Sequence, residues 1–160
     1  MTKDIRVLFV CMGNICRSPA AEAILKYLVL QDHSLNITIS SCGIGSWHVG
    51  HEADWRIKEA SSVRGYALTG TAQQFKNNFF TESDYILAAD QEVFRHLIQH
   101  AKTIQEKSKI YLMTEFSEHF KGEDIPDPYF GGQGAFEHVL DMLEESCEGL
   151  LKQIKIKSHL

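Results

Sequence analysis

Residues 5–10 are a nearly continuous apolar, β-rich run, and the chain leaves it through Cys11-Met12-Gly13-Asn14-Ile15-Cys16-Arg17-Ser18-Pro19. A strand that is apolar on both sides belongs inside a parallel sheet. Ser18-Pro19 then marks a helix start, since proline suits the first helical turn. A strand passing into a helix within so few residues commits the chain to an α/β fold. The later patterns agree. Ala21, Ile24, Leu25 and Leu28 recur at helical spacing, and residues 37–42 alternate like a second strand that ends at Gly43 and Gly45. Residues 54–64 read as a helix stopped by Gly65. Residues 85–89 and 110–113 read as strands three and four, with a helix over about 91–101 between them. Phe136, Val139, Leu140, Leu143, Cys147, Leu150, Leu151 and Ile154 form one stripe of a final helix packed on the core.

Alternating strands and helices predict a doubly wound, four-stranded parallel sheet with helices on both faces. Nothing divides the 160 residues, so one domain is expected over 1–160. In such sheets every loop leaving the carboxyl end of a strand lies on one rim, where ligands bind. Loops 11–17, 43–53, 90 onward and 114–134 therefore converge, and partners for the first should come from the other three.

The formal charge of −5 argues against a nucleic-acid partner, which needs a basic face. The apolar run at residues 7–12 is too short to span a bilayer or to form a signal-peptide core, so no membrane association and a cytoplasmic location are expected. Four cysteines are too few for a disulfide framework, and a C-x4-C pair without a second pair is a poor zinc site. His48 and His51 read as solvated loop residues. No metal and no cofactor are expected.

The first loop has the makings of an anion site. A helix N-terminus offers unpaired N–H groups and a positive dipole end. Gly13 and Asn14 tolerate left-handed backbone, so the loop can curl and aim successive amides inward. Residues Met12 to Ser18 thus cradle a phosphate, with Arg17 adding a planar fork of donors. Cys11 is the candidate nucleophile, its thiolate favoured by the same dipole and guanidinium. The loop lacks the Gly-Lys-Ser/Thr ending of a nucleotide P-loop. A leaving alkoxide or phenolate needs a proton, and the rim offers Asp90, Glu123, Asp124 and Asp127. Asp90 opens a helix and reads as its cap. Asp127 sits between Pro126 and Pro128, which stiffen its backbone. Trp47, Tyr129 and Phe130 lie on two rim loops and look like walls of a slot for an aromatic ring. Met12 and Ile15 would supply an apolar floor.

At these residues the chain resembles the low-molecular-weight protein tyrosine phosphatases, whose signature is close to V-C-x-G-N-x-C-R-S-P. The likeness runs along the whole chain, including the Trp47 loop and the Asp127-Pro128-Tyr129 motif. The family implies a metal-free, two-step hydrolysis of phosphotyrosine or a small aryl phosphate through a cysteinyl-phosphate, with Asp127 as general acid. It also implies that Cys16 can capture oxidised Cys11 as a disulfide, and that Ser18 and Ser41 hold Asn14. Relatives acting on protein phosphoarginine carry Thr where Ile15 stands, so Ile15 points to phosphotyrosine. A supporting family histidine falls at Gly70 and a nearby arginine at Gln73, so loop support is expected to be either weaker or differently built. The expected state is a monomer or weak dimer.

Three other functions remain. A phosphoarginine phosphatase shares the fold and loop. So does a thiol-dependent arsenate reductase, which needs a cysteine relay that is missing between Cys42 and Cys147. A non-catalytic phosphate-binding module could dispense with Cys11 or Asp127.

Overall fold

The computed structural model describes residues 4–158, so the outermost ends of the expected 1–160 domain lie outside the described residues. The elements run β1 (Asp4–Cys11), α1 (Arg17–Leu30), β2 (Asn36–Gly43), α2 (Trp55–Val63), α3 (Phe79–Glu82), β3 (Tyr85–Ala88), α4 (Gln91–His100), α5 (Ile104–Lys107), β4 (Ile110–Leu112) and α6 (Gln133–Lys157). The expected strands are all present, with ends differing by about one residue. The short helices α3 and α5 escaped the sequence reading because a single turn leaves no periodicity to detect.

The sheet has the order β2-β1-β3-β4, and every neighbouring pair is parallel. β1 is central, which is why its residues 7–11 are buried without alternation. Its odd and even side chains feed two cores. Val7 and Phe9 pack with α1, α2 and α6, and Leu8 and Val10 pack with α3 and α4. Helices therefore cover both faces of the sheet. All eight stripe positions on α6 are buried, from Phe136 through Ile154.

Helix starts follow local chemistry. Asp54, Asp90 and Thr103 cap α2, α4 and α5 by accepting backbone N–H groups from Arg56, Val93 and Glu106. α1 differs. Its cap position is Cys16, whose side chain makes no capping bond, and its first turn carries no acid. The N-terminal amides of α1 are left for something else. Strands β2 and β3 diverge to opposite sides of β1, so the crevice at the carboxyl end of β1 is the topological switch point, and Cys11 stands there.

Candidate active site

The loop from Cys11 to Arg17 turns on Asn14, whose φ of 58° is the one positive value among the described non-glycine residues. Asparagine tolerates that region better than most residues. The loop's carbonyls are taken from outside. Ile44 N–H donates to Cys11 O (3.0 Å), Gly45 N–H to Met12 O (2.9 Å) and Asp54 N–H to Ile15 O (2.7 Å). In each of those planar peptides the following N–H points the opposite way, into the loop's concave side. The sheet also sets how closely the loop can lie. A β-carbon added at Gly43 would stand 2.9 Å from the Asn14 nitrogen and the Gly13 carbonyl carbon. Only glycine fits there.

Cys11 is buried, and its Sγ meets donors. Asn14 N–H points at it from 3.3 Å and Ser18 Oγ lies 2.9 Å away. Asn14 is held from three sides. Its Nδ2 donates to Ser18 Oγ (2.7 Å) and Ser41 Oγ (3.0 Å), and its Oδ1 accepts the Gln73 N–H (3.0 Å). Asn14, Ser18 and Ser41 are thus brought together. The support that the sequence left open comes from Gln73, whose Nε2 also donates to Ser41 O (2.9 Å), while Gly70 helps line a cavity of about 140 Å³ behind the loop.

Arg17 is only 4% exposed. Its Nη1 donates to Asp90 Oδ2 (2.7 Å) and to the Ile125 carbonyl (2.9 Å), and its Nη2 lies 3.9 Å from Asp127 Oδ2. Burial alone would lower the Arg17 pKa, but Cys11 and the hydrogen-bonded Asp90 more than offset it and hold it above the ordinary arginine value. Asp90 is therefore both the cap the sequence indicated and an anchor for Arg17, a second role that no local pattern announces. Of the other acids, Asp124 accepts the Gln91 N–H (3.0 Å), and Glu123 is exposed. Asp127 Oδ1 accepts the Tyr129 N–H (3.1 Å), an Asx turn that leaves Oδ2 facing Arg17.

The aromatic residues lie on the rim. Tyr129 and Phe130 meet edge to face with centroids 4.9 Å apart. Trp47 lies over Gly45, close enough that a β-carbon there would strike its ring. Met12 and Ile15 are half-buried. No sequence pattern pointed to Arg56, which donates to the Tyr129 carbonyl (3.0 Å) and lies over the Tyr129 and Phe136 rings. His48, expected to be a solvated loop residue, is instead half-buried. Its ring packs on Gly13 and faces His51 at 6.0 Å.

A strand-end cysteine among donors, a buried arginine beside it and a carboxylate across from it are the parts of a thiol-based phosphatase. The family model described as low molecular weight phosphotyrosine protein phosphatase matches residues 6–160. The chain belongs to that family. A low molecular weight protein-tyrosine-phosphatase of Streptomyces coelicolor is 38% identical over 94% of this chain and 93% of its own. Among solved structures, the protein tyrosine phosphatase of Entamoeba histolytica superposes with a TM-score of 0.88 at 39% identity, covering 97% of this chain and 98% of that one. A Drosophila arginine phosphatase superposes with a TM-score of 0.88 at 35% identity, over 94% of this chain and 98% of that one. This phosphatase is accordingly a phosphoric monoester hydrolase of the protein tyrosine class. Among its described residues, no helix is long and apolar enough to cross a membrane.

Proposed function

We propose that residues 1–160 form one catalytic domain hydrolysing phosphotyrosine in proteins, with Cys11 as nucleophile, Arg17 as phosphate clamp and Asp127 as general acid. One observation carries the reading: Cys11 Sγ sits at the end of β1 beside the Asn14 N–H and the Ser18 hydroxyl, and buried Arg17 of the same loop faces Asp127. The phosphate occupies the concave side of the loop, held by the backbone amides from Met12 to Ser18 and by the guanidinium. The Cys11 thiolate attacks phosphorus as the P–O bond to the phenol breaks, and Asp127 gives its proton to the leaving oxygen. Water then attacks the cysteinyl-phosphate, its proton returns to Asp127, and the P–S bond breaks to restore the thiolate and release phosphate. Arg17 stays charged throughout, so it offsets the charge spread over the equatorial oxygens in both steps.

The ring of the substrate lies among Trp47, Tyr129 and Phe130, over Met12 and Ile15. Such a slot reaches a phosphate on a long aromatic stem better than one on serine. Ile15 supplies an apolar contact with no hydroxyl for a guanidinium. The likeness to the Drosophila arginine phosphatase makes phosphoarginine the competitor to test. Turnover of matched phosphotyrosine, phosphoserine and phosphoarginine peptides is expected to favour phosphotyrosine by at least about tenfold in kcat/KM. Preference for phosphoarginine would reverse the substrate assignment while leaving the loop chemistry in place.

Cys16 is proposed as a redox partner. It is a buried free thiol one loop away from Cys11, with its pKa raised by burial and then by Cys11. Peroxide converts the Cys11 thiolate to a neutral sulfenic acid, releasing hydroxide. The second of those two effects then disappears, Cys16 ionises more readily, and attack on the sulfenic sulfur forms a disulfide and water. Wild-type activity is expected to return after a dithiol, whereas Cys16→Ser keeps most of its activity but recovers less than about half as much. Equal recovery, with no Cys11–Cys16 disulfide in peptide mass spectra, would leave Cys16 only a packing role.

A further inference from the structure

We propose that Glu22, on α1 and out of contact with any phosphate, is a positioning residue that sets the hydrogen-bond direction at Cys11 through Ser41, Asn14 and Ser18. The inference rests on Cys11 being the nucleophile. It starts from Ser41 Oγ, which donates to Glu22 Oε1 at 2.6 Å. A carboxylate can only accept, so Ser41 has spent its one proton there. Ser41 therefore faces Asn14 with a lone pair, and the amide must present Nδ2 to it (3.0 Å). That orientation also directs Nδ2 at Ser18 Oγ (2.7 Å) and turns Oδ1 toward the Gln73 N–H (3.0 Å). Ser18 then accepts from Asn14 and keeps its own proton to give. The candidates are Cys11 Sγ at 2.9 Å and the Cys42 carbonyl at 3.3 Å. An anionic sulfur takes it, because hydrogen bonds to charged acceptors are the stronger.

The reverse arrangement shows why a carboxylate matters at position 22. With the Asn14 amide flipped, Oδ1 would face both serines and each would donate into it. Ser18 would lose the proton that serves Cys11. That state requires a free proton on Ser41, which Glu22 withholds. The second oxygen of Glu22 is 2.5 Å from Lys26 Nζ, an ion pair at the helix surface. Gln73 anchors the same orientation from the other side through a backbone N–H, which no substitution short of proline removes. Glu22 is thus the part of the relay that a side-chain change can test.

Glu22→Gln keeps the size but can offer an N–H to Ser41, freeing the Ser41 proton for Asn14. Its kcat on a phosphotyrosine peptide is expected to fall about tenfold while KM stays within about twofold. Alkylation of Cys11 by iodoacetamide at pH 7 should slow by a similar factor, a reading that lost packing alone would not give. In a Ser41→Ala background, Glu22→Gln should change kcat by less than about twofold, since the relay is already cut. An unchanged kcat in Glu22→Gln, or the same fall with and without Ser41, would overturn the role of Glu22. Turnover that persists without Cys11 would instead remove the mechanism beneath it, so the two failures are distinguishable.

Discussion

Cys11→Ser is expected to abolish turnover, a loss on the order of 10⁴-fold or more, while still binding phosphate. The reason lies in what surrounds Sγ. The Asn14 N–H donates to it and the Ser18 hydroxyl lies 2.9 Å away, able to donate as well, an arrangement that suits an anion. A thiolate needs no more. A serine alcohol must lose its proton in the attack, and the groups on it offer no base to take that proton. The amides and Arg17 are untouched, so phosphate affinity should survive. The measurement is steady-state hydrolysis of an aryl phosphate alongside phosphate binding by calorimetry. Substantial turnover in the serine variant would end the covalent route.

Asp127→Asn should cost roughly 10²–10⁴ in kcat for tyrosine phosphate, whose phenol is a poor leaving group. The loss should shrink for activated aryl phosphates, which depart without protonation. Position explains why this carboxylate and not another. Asp90 is 18% exposed at its side chain and bound to Arg17 and to the α4 cap, whereas Asp127 is 57% exposed and faces the mouth. Its Asx turn fixes one oxygen and leaves the other toward the substrate side. A plot of kcat against leaving-group acidity for both proteins makes the test. An equal loss across the series would assign Asp127 to positioning and move the acid role to Asp124 or Asp90.

How much of this was legible beforehand depended on the range of the signal. The order of strands, the buried α6 stripe and the loop at the end of β1 are written in runs and spacings of a few residues. Those were read correctly. Asp90 was legible as a cap, since capping is local, but its bond to Arg17 joins positions 73 apart and leaves no trace in either neighbourhood. Gln73 looked like a departure because the sequence shows what replaced the family's residue, not where the new side chain reaches. Gly43 read as a turn at the end of a strand. Its demand for glycine comes from backbone 30 residues away, which is visible only once β1 and β2 are paired through Cys11 and Gly43.

Asp90 has a consequence for how such an enzyme can change over generations. One carboxylate ends α4 with Oδ1 and steadies the buried guanidinium with Oδ2. Losing it would strip a helix of its cap, worth about 1 kcal/mol, and leave a buried cation short of its nearest counter-charge, a far larger penalty. Selection for a softer or tighter grip on phosphate therefore cannot act at this position without also changing how well the protein folds. Variation in catalytic behaviour is channelled elsewhere, to the exposed rim around Trp47 and Tyr129, where side chains stand outside the buried core.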